Sequence, residues 1–186
     1  MAYANLTLRE ISFTLRGTDS ELGQIIDSDY FPTKLSTYFA NIPNPILGNE
    51  PIAGYGAFSL DGMIAIEGNS SCTIDNFLGF FAQKDYTDVR YSNNYINAGD
   101  IFSVPVLSRG RICVYAATSI LLRPEIKTYL ITSVPNTVLS PFVPGAIAQG
   151  TLPAGVTYID ITDYCRIKTG NKCAGNGVII DILLRK

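Results

Sequence analysis

Histidine is absent from the chain, and so is tryptophan. Histidine is the usual base in Ser-His-Asp and Cys-His catalysis, so its absence excludes those mechanisms in their ordinary forms. It is also the commonest side-chain ligand of metal ions. The sequence therefore favours a non-enzymatic protein, for which we expect no catalytic residues, no cofactor and no metal.

Motifs that hold phosphates or metals are also missing. There is no G-x-x-x-x-G-K, no G-x-G-x-x-G and no C-x-x-C segment. The close carboxylate pairs are Asp27/Asp29, Asp85/Asp88 and Asp160/Asp163. Sequence spacing does not establish the geometry that a glycosidase needs. Asp160 and Asp163 lie where a predicted strand meets a turn, so we favour backbone capping for them.

Charged residues make up only 16% of the chain, against about 25% in a typical domain. The mean hydropathy is +0.20. There is no run of basic residues, no apolar run of about 18 residues and no secretion signal. We therefore expect no nucleic-acid partner, no membrane span and synthesis in the cytoplasm. Because a soluble monomer usually keeps its apolar patches small, the weakly charged surface favours burial in an assembly.

The chain contains four cysteines, Cys72, Cys113, Cys165 and Cys173. In a reducing compartment we expect free, buried thiols. Cys165 and Cys173 flank a short turn, so a disulfide across that hairpin is the alternative.

Short apolar runs, separated by Gly, Pro and Asn turns, dominate the sequence from residue 51 onwards. They predict an all-β fold, a small jelly-roll-like β-sandwich or barrel of residues 51–186. We expect strands at 55–60 and 63–68, joined by a two-residue turn at Asp61-Gly62, and at 77–82, 127–133 and 178–184. Residues 156–161 and 164–168 are expected to form two strands or one bent strand. Because residues 178–184 are apolar on both faces, we expect a central position for that strand.

The stretch 94–115 is the predicted centre of the fold. It reads as a strand at 101–107, a turn at 108–110 and a strand at 111–115, which together form a hairpin. Pro105 has no N–H to donate, so we expect an edge position or a bulge for the first strand. Residues 135–153 are rich in Pro and Gly and predict a long loop, with at most a brief strand at 138–139.

Residues 1–50 read as an irregular, apolar N-terminal arm. A strand is predicted at 9–16, because Ile11, Phe13 and Leu15 alternate with polar residues. Short helices are predicted at 19–26 and 34–39. A terminal strand of this kind can add to a neighbouring subunit.

The central stretch carries a family resemblance. The segment Tyr95-x-x-x-Gly99-Asp100-x-x-x-Val104, followed by Gly110-x-Ile112-x-Val114 and then Pro124, resembles the core of tailed-phage structural cement proteins, also called capsid decoration proteins. The resemblance covers about residues 50–186 and includes the run Phe77-Leu78-Gly79-Phe80.

The resemblance implies a non-enzymatic protein on the outside of an assembled phage capsid. Such a protein bridges neighbouring subunits of the major capsid protein and often self-associates, here as a dimer or trimer. The expected location is the exterior of the virion. As contact elements we predict residues 9–16 and the 135–153 loop, with Ile11, Phe13, Leu15, Phe142 and Val143 as the contact residues.

Two other classes stay open. One is a carbohydrate- or receptor-binding β-sandwich domain of a virion fibre, with Tyr86, Tyr91 and Tyr95 as candidates for stacking. The other is a hydrolase without histidine that uses a carboxylate pair such as Asp160/Asp163.

Overall fold

The computed structural model describes residues 22–26, 33–41, 53–83, 101–117, 122–138, 141–173 and 176–184. These residues form mostly β-strands, with short 3-10 helices at Ile74–Asn76 and Thr162–Tyr164, so the predicted all-β class is confirmed. The strands are β1 (Ile25–Ile26), β2 (Lys34–Asn41), β3 (Gly56–Phe58), β4 (Ile64–Ala65), β5 (Phe77–Phe81), β6 (Ile101–Tyr115), β7 (Thr128–Ser133), β8 (Ile147–Gln149), β9 (Thr157–Asp160), β10 (Cys165–Lys172) and β11 (Gly177–Leu183).

The larger of two sheets curls into a nearly closed barrel. Its strands follow the order β10-β11-β6-β2-β4, while β1 and β5 also pair with β6 and β3 pairs with β5. The smaller sheet has the order β8-β7-β9. Ile112 and Ile180 of the large sheet share one apolar core with Leu130 and Ile147 of the small sheet. The main core therefore lies between the two sheets.

Strand β6 runs unbroken from Ile101 to Tyr115, so the predicted hairpin within this stretch is wrong. The Gly110 backbone has a φ of +135°, yet pairing continues on both sides of it. Strands β2 and β5 pair with β6 before Gly110, β1 pairs with it afterwards, and β11 pairs with it continuously from Arg109 to Tyr115, across Gly110. Glycine permits either a turn or an extended kink, and the partner strands decide between them.

The predicted edge position holds at Pro105 itself but not for the whole strand: among the described residues only β2 pairs with Pro105, whereas β5 joins β6 at residues 106 and 107. Strands β2 and β5 both pair with residues 106–107, so they must lie on opposite edges of β6. The Pro105 carbonyl accepts a hydrogen bond from the Ala82 N–H at 2.9 Å. Strand β5 ends at Phe81, so the ladder stops where the missing Pro105 N–H would be needed.

The two helices predicted in the N-terminal segment are wrong. Residues 25–26 and 34–41 are strands, and both pair antiparallel with β6. Leu35, Tyr38 and Phe39 follow the i, i+3, i+4 spacing of a helix, but Leu35 and Phe39 also lie four residues apart, as on one face of a strand. The pairing with β6 settles the choice. The described parts of the 1–50 segment thus contribute strands to the large sheet. The strand predicted at 9–16 lies outside the described residues.

The hairpin predicted around Asp61-Gly62 forms with a wider turn than expected. Phe58 and Ile66 exchange backbone hydrogen bonds of 2.9 and 2.7 Å, and residues 59–65 connect them. A two-residue turn is therefore wrong here. The Asp61 carboxylate holds the wide loop, because it accepts hydrogen bonds from the Met63 and Ile64 N–H groups, each at 2.9 Å.

Five other predicted strands are confirmed, as β5, β7, β9, β10 and β11. Strand β11 lies between β10 and β6, the central position that its two-sided apolarity predicts. Strand β8 falls within the predicted 135–153 loop and was not foreseen. Val138 closes a turn by donating to the Pro135 carbonyl, and residue 139 lies outside the described residues.

Candidate protein-contact surface

Four large apolar side chains are exposed on and beside strand β2. We call Leu35, Phe39, Leu60 and Met63 the apolar patch. Their exposed fractions run from 49% for Leu35 to 65% for Met63. Residues of this size are usually buried when they serve only the fold, so their exposure makes this surface a candidate for contact with another protein.

Strand alternation and one loop bring the patch together. Along β2, Leu35 and Phe39 face outward, whereas Tyr38 packs inward against a second apolar cluster. The Phe39 N–H donates to the Met63 carbonyl at 3.3 Å, which places the 59–63 loop beside β2. Hydrogen bonds from the Ile64 and Met63 N–H groups lower the pKa of the Asp61 carboxyl in this loop. The charged form of Asp61 is therefore the one that fixes Leu60 and Met63 at the surface.

Strand β2 also presents a partly open edge. One of its edges pairs with β6 along its whole length, while the other pairs with β4 only at Phe39 and Ala40. Within the described ranges, no strand pairs with this second edge before Phe39. An edge of this kind can accept a strand from another chain.

Of the five contact residues predicted from the sequence, the structure describes only Phe142 and Val143. Ile11, Phe13 and Leu15 lie outside the described residues. Phe142 and Val143 are half-buried and pack against the cluster that contains Ile131. These two side chains therefore contribute to the packing of the small sheet.

Sequence reasoning missed the apolar patch, although one signal was present. Leu60 and Met63 flank Asp61-Gly62, a pair typical of an exposed turn. Large apolar side chains beside such a turn have little chance of burial within the same hairpin. The exposure of Leu35 and Phe39 has no comparable signal, because their spacing with Tyr38 predicts a helix and not strand β2.

A buried ion cluster lies on the face of the large sheet that points away from the core. The Asp181 side chain is 1% exposed, and its oxygens lie 2.7 Å from Arg111 Nε and 2.9 Å from Lys168 Nζ. Burial by itself would raise the pKa of Asp181, but the hydrogen bonds and charges of Arg111 and Lys168 outweigh it and leave the pKa lowered. Asp181 is therefore charged in the folded protein, and both of its carboxylate oxygens are bound by neighbouring cations.

The cysteines are arranged differently from either expectation. Cys113 of β6 and Cys173, just after β10, form a disulfide with a Cα–Cα distance of 6.1 Å. The predicted alternative, a bond between Cys165 and Cys173, is therefore wrong. Cys72 and Cys165 are free and buried, and burial raises the pKa of Cys165 to about 12. A thiol that stays protonated in this way is a poor nucleophile.

Of the three carboxylate pairs, only Asp160/Asp163 lies in the described residues. Asp160 Oδ1 accepts hydrogen bonds from the Thr162 hydroxyl at 2.5 Å and the Thr162 N–H at 3.0 Å. The hydroxyl contributes most to lowering the pKa of Asp160, followed by the N–H and the Lys127 charge. The predicted capping role of Asp160 is confirmed. Asp163 is exposed in the neighbouring 3-10 helix.

The aromatic candidates Tyr86, Tyr91 and Tyr95 also lie outside the described residues. A different pair, Tyr129 and Tyr158, lies on the small sheet with ring centroids 4.6 Å apart, and Tyr158 is half-exposed. Tyr129 lies directly opposite Asp160. These two rings lie beside the Asp160 carboxylate, and Tyr158 is the more exposed of the two.

The described residues contain no group of three or more Cys, Asp or Glu side chains placed to bind a metal ion. No helix among them is both long enough and apolar enough to cross a membrane.

Comparison with known proteins gives no family for this chain. No protein-family model matches the sequence, and no curated protein is significantly similar to it.

Proposed function

We propose that this protein is a capsid decoration protein, which binds the outer surface of an assembled tailed-phage capsid and bridges its major capsid subunits. The role is non-enzymatic, and the protein acts as a small homo-oligomer on the exterior of the virion. The observation that carries the proposal is the exposed apolar patch of Leu35, Phe39, Leu60 and Met63 on a fold whose core is already filled.

The patch suits contact with a large protein lattice. Large apolar side chains contribute most of the binding energy in protein interfaces when they enter pockets that exclude water. The Phe39 N–H donates to the Met63 carbonyl, and the hydrogen bonds that Asp61 accepts from the Met63 and Ile64 N–H groups hold the 59–63 loop in place before binding. A surface that is already ordered loses less conformational entropy on binding.

Binding of this kind would stabilise an assembled capsid. A ligand that binds the assembled shell, but not its free subunits, stabilises the assembled state by mass action. Many copies of a small, rigid β-protein can therefore protect a shell strained by packaged DNA. No catalytic group is needed for this role.

The test is co-sedimentation of the purified protein with expanded, empty capsids of the phage that encodes it. We expect saturable binding to shells and little binding to free capsid subunits. The double variant Phe39→Ser/Met63→Ser should bind at least about tenfold more weakly, since it removes two apolar anchors. Ile126→Ser is the matched control, because Ile126 is also an exposed apolar residue but lies outside the patch.

Two results would contradict the proposal. Absence of saturable binding by the unaltered protein would remove the decoration role itself. Equal loss of binding in the Phe39→Ser/Met63→Ser and Ile126→Ser variants would show that the apolar patch is not the contact surface.

A glycan-binding role is the second candidate, and the Tyr129–Tyr158 pair favours it. An exposed ring beside a carboxylate is a common way to stack on and hydrogen-bond to a sugar. Screening against a glycan array tests this role. Binding that disappears in Tyr158→Ala, but persists in Phe39→Ser/Met63→Ser, would favour it over the decoration role.

A further inference from the structure

We propose that the outer face of strands β10, β11 and β6 is a second docking surface, which binds carboxylate groups on the surface of a partner protein. We call Arg109, Arg111, Arg166 and Lys168 the cationic face. Under the proposed function, on which this inference rests, the partner is the capsid subunit. The cationic face would then orient the protein while the apolar patch anchors it.

The strand register puts all four cations on one side of the sheet. Arg111 and Arg166 lie directly opposite Asp181, on either side of it. Lys168 lies opposite Ile179, and Arg109 lies opposite Leu183. Residues directly opposed in an antiparallel pair, and alternate residues along a strand, share a face.

This face points away from the main core. Ile180 and Ile182, the neighbours of Asp181 in the chain, are buried in the core between the sheets. Asp181 and its two strand-opposed arginines therefore project from the other side. Arg109 and Arg166 are exposed there, while Arg111 and Lys168 keep 23% and 38% of their side chains accessible.

The charge on this face is positive and confined. Asp181 is buried and already bound by Arg111 and Lys168, so it is not available to a partner. Among the described residues, no carboxylate forms an ion pair with Arg109 or Arg166. The four cations and Asp181 together carry +3, whereas the whole chain carries −2, which leaves −5 on the remainder.

The central carboxylate explains how the cations can crowd together. The four cations lie on β6 and β10, the two strands that flank β11, and like charges held close together in a sheet are destabilising. Asp181 lies between Arg111 and Arg166 and offsets part of this repulsion. It also holds Arg111 and Lys168 in fixed positions, so they present their remaining N–H groups to a partner with little loss of side-chain entropy.

Size and overall charge favour a protein partner over a polyanion. The face spans three strands, about 10 Å, and four residue steps along β6, about 14 Å. A nucleic acid extends well beyond such a patch and would meet the negative remainder of the chain, which repels it. An acidic patch on a folded protein has matching dimensions and can avoid that repulsion.

The test compares shell binding by Arg109→Glu/Arg166→Glu with that by Arg123→Glu/Lys127→Glu. The second variant makes the same change of charge beside the small sheet, so it controls for net charge. At a low ionic strength of about 50 mM we expect the first variant to bind about tenfold more weakly than the control, and the difference to shrink at about 500 mM as salt screens it. The neutral variant Arg109→Gln/Arg166→Gln should keep the melting temperature of the unaltered protein. It should also bind shells more weakly than that protein, but by a smaller factor than Arg109→Glu/Arg166→Glu.

Equal shell binding by the two charge-reversed variants would overturn the cationic face and leave the proposed function standing. If the unaltered protein does not bind shells, the proposed function fails, and poly-L-glutamate becomes the probe for the face. Binding of poly-L-glutamate that Arg109→Glu/Arg166→Glu abolishes, and the control keeps, would still support the face. The proposal of an acidic protein partner would be overturned if the unaltered protein bound neither shells nor poly-L-glutamate. It would also be overturned if the protein bound oligo-dT or anionic lipid vesicles more tightly than poly-L-glutamate and Arg109→Glu/Arg166→Glu abolished that binding.

Discussion

Asp181 is the residue whose environment departs most from what its type predicts. Aspartate is rarely buried, yet this side chain is 1% exposed on a strand that is otherwise apolar. Removing a carboxylate from water costs several kcal/mol, and the two cations that bind it must offset that cost. The cluster is therefore sensitive to loss of any one member.

Replacing Asp181 with Asn should lower the free energy of unfolding by about 3 kcal/mol, because Arg111 and Lys168 would be left without their counter-charge. Urea titration followed by circular dichroism measures this change. Asp163→Asn is the control, since Asp163 is exposed, and it should change stability by less than about 0.5 kcal/mol. Equal stability of the two variants would show that the cluster contributes nothing net.

The same cluster predicts loss of stability in acid. The pKa of Asp181 is lowered on folding from an ordinary value of 3.8. The folded state therefore binds this proton less readily than the unfolded state does, and the stability that the charged carboxylate contributes is lost as the pH falls below about 4. Melting temperatures between pH 7 and pH 3 should fall more steeply for the unaltered protein than for Asp181→Asn. Parallel curves would contradict the prediction.

At the scale of elements, β6 holds the large sheet together. It pairs with four other strands along its length, and it carries both Gly110 and one end of the disulfide. Gly79 of β5 allows a close approach to it, because Gly79 has a φ of +135° and a Cβ there would collide with the Leu107 carbonyl oxygen. The β5–β6 contact therefore requires glycine at this position.

Gly79→Ala should destabilise the fold by about 3 kcal/mol or more, because the new Cβ must displace backbone as well as adopt a strained φ. The control is Gly150→Ala, where φ is also positive at +84° but no atom lies within 4 Å of the new Cβ. That control should cost only about 1 kcal/mol. Chemical denaturation of both variants measures the difference, and similar costs would show that backbone strain alone matters at Gly79.

At the scale of the whole molecule, the disulfide joins two distant parts of the chain. Cys113 and Cys173 are 60 residues apart, and between them lies the whole small sheet. The bond lies in an apolar cluster with Ile179, Leu22 and Ile26, where β1, β6 and β11 meet. It therefore closes a long loop in the unfolded chain and ties the end of β10 to the centre of the large sheet.

Reduction of this bond should lower the free energy of unfolding by up to about 4 kcal/mol, the value that loop closure over this separation predicts. Thermal melting with and without dithiothreitol measures the effect. The variant Cys113→Ala/Cys173→Ala is the control, and its melting temperature should be the same with and without dithiothreitol. If dithiothreitol also lowered the melting temperature of that variant, its effect would not come from reduction of the disulfide.

The last prediction for the whole molecule concerns the N-terminal segment, residues 1–16, and its expected part in assembly. We expect deletion of residues 1–16 to weaken self-association or shell binding, because the alternating Ile11, Phe13 and Leu15 can add a strand to a neighbour. The remaining domain should still melt cooperatively. Analytical ultracentrifugation, shell binding and calorimetry measure these outcomes. Unchanged binding, or loss of the cooperative transition, would contradict the prediction.

The sequence by itself determined the all-β class, the position of β11 and the capping by Asp160. Each depends on local information: alternation, two-sided apolarity and the short reach of an aspartate side chain. The tertiary structure alone decided that β6 is one strand, that β2 is no helix and that Cys113 pairs with Cys173. It also decided which apolar residues stay exposed. These outcomes depend on partners far away in the chain, since Gly110 tolerates both a turn and an extended kink and Leu35 to Phe39 fit two periods.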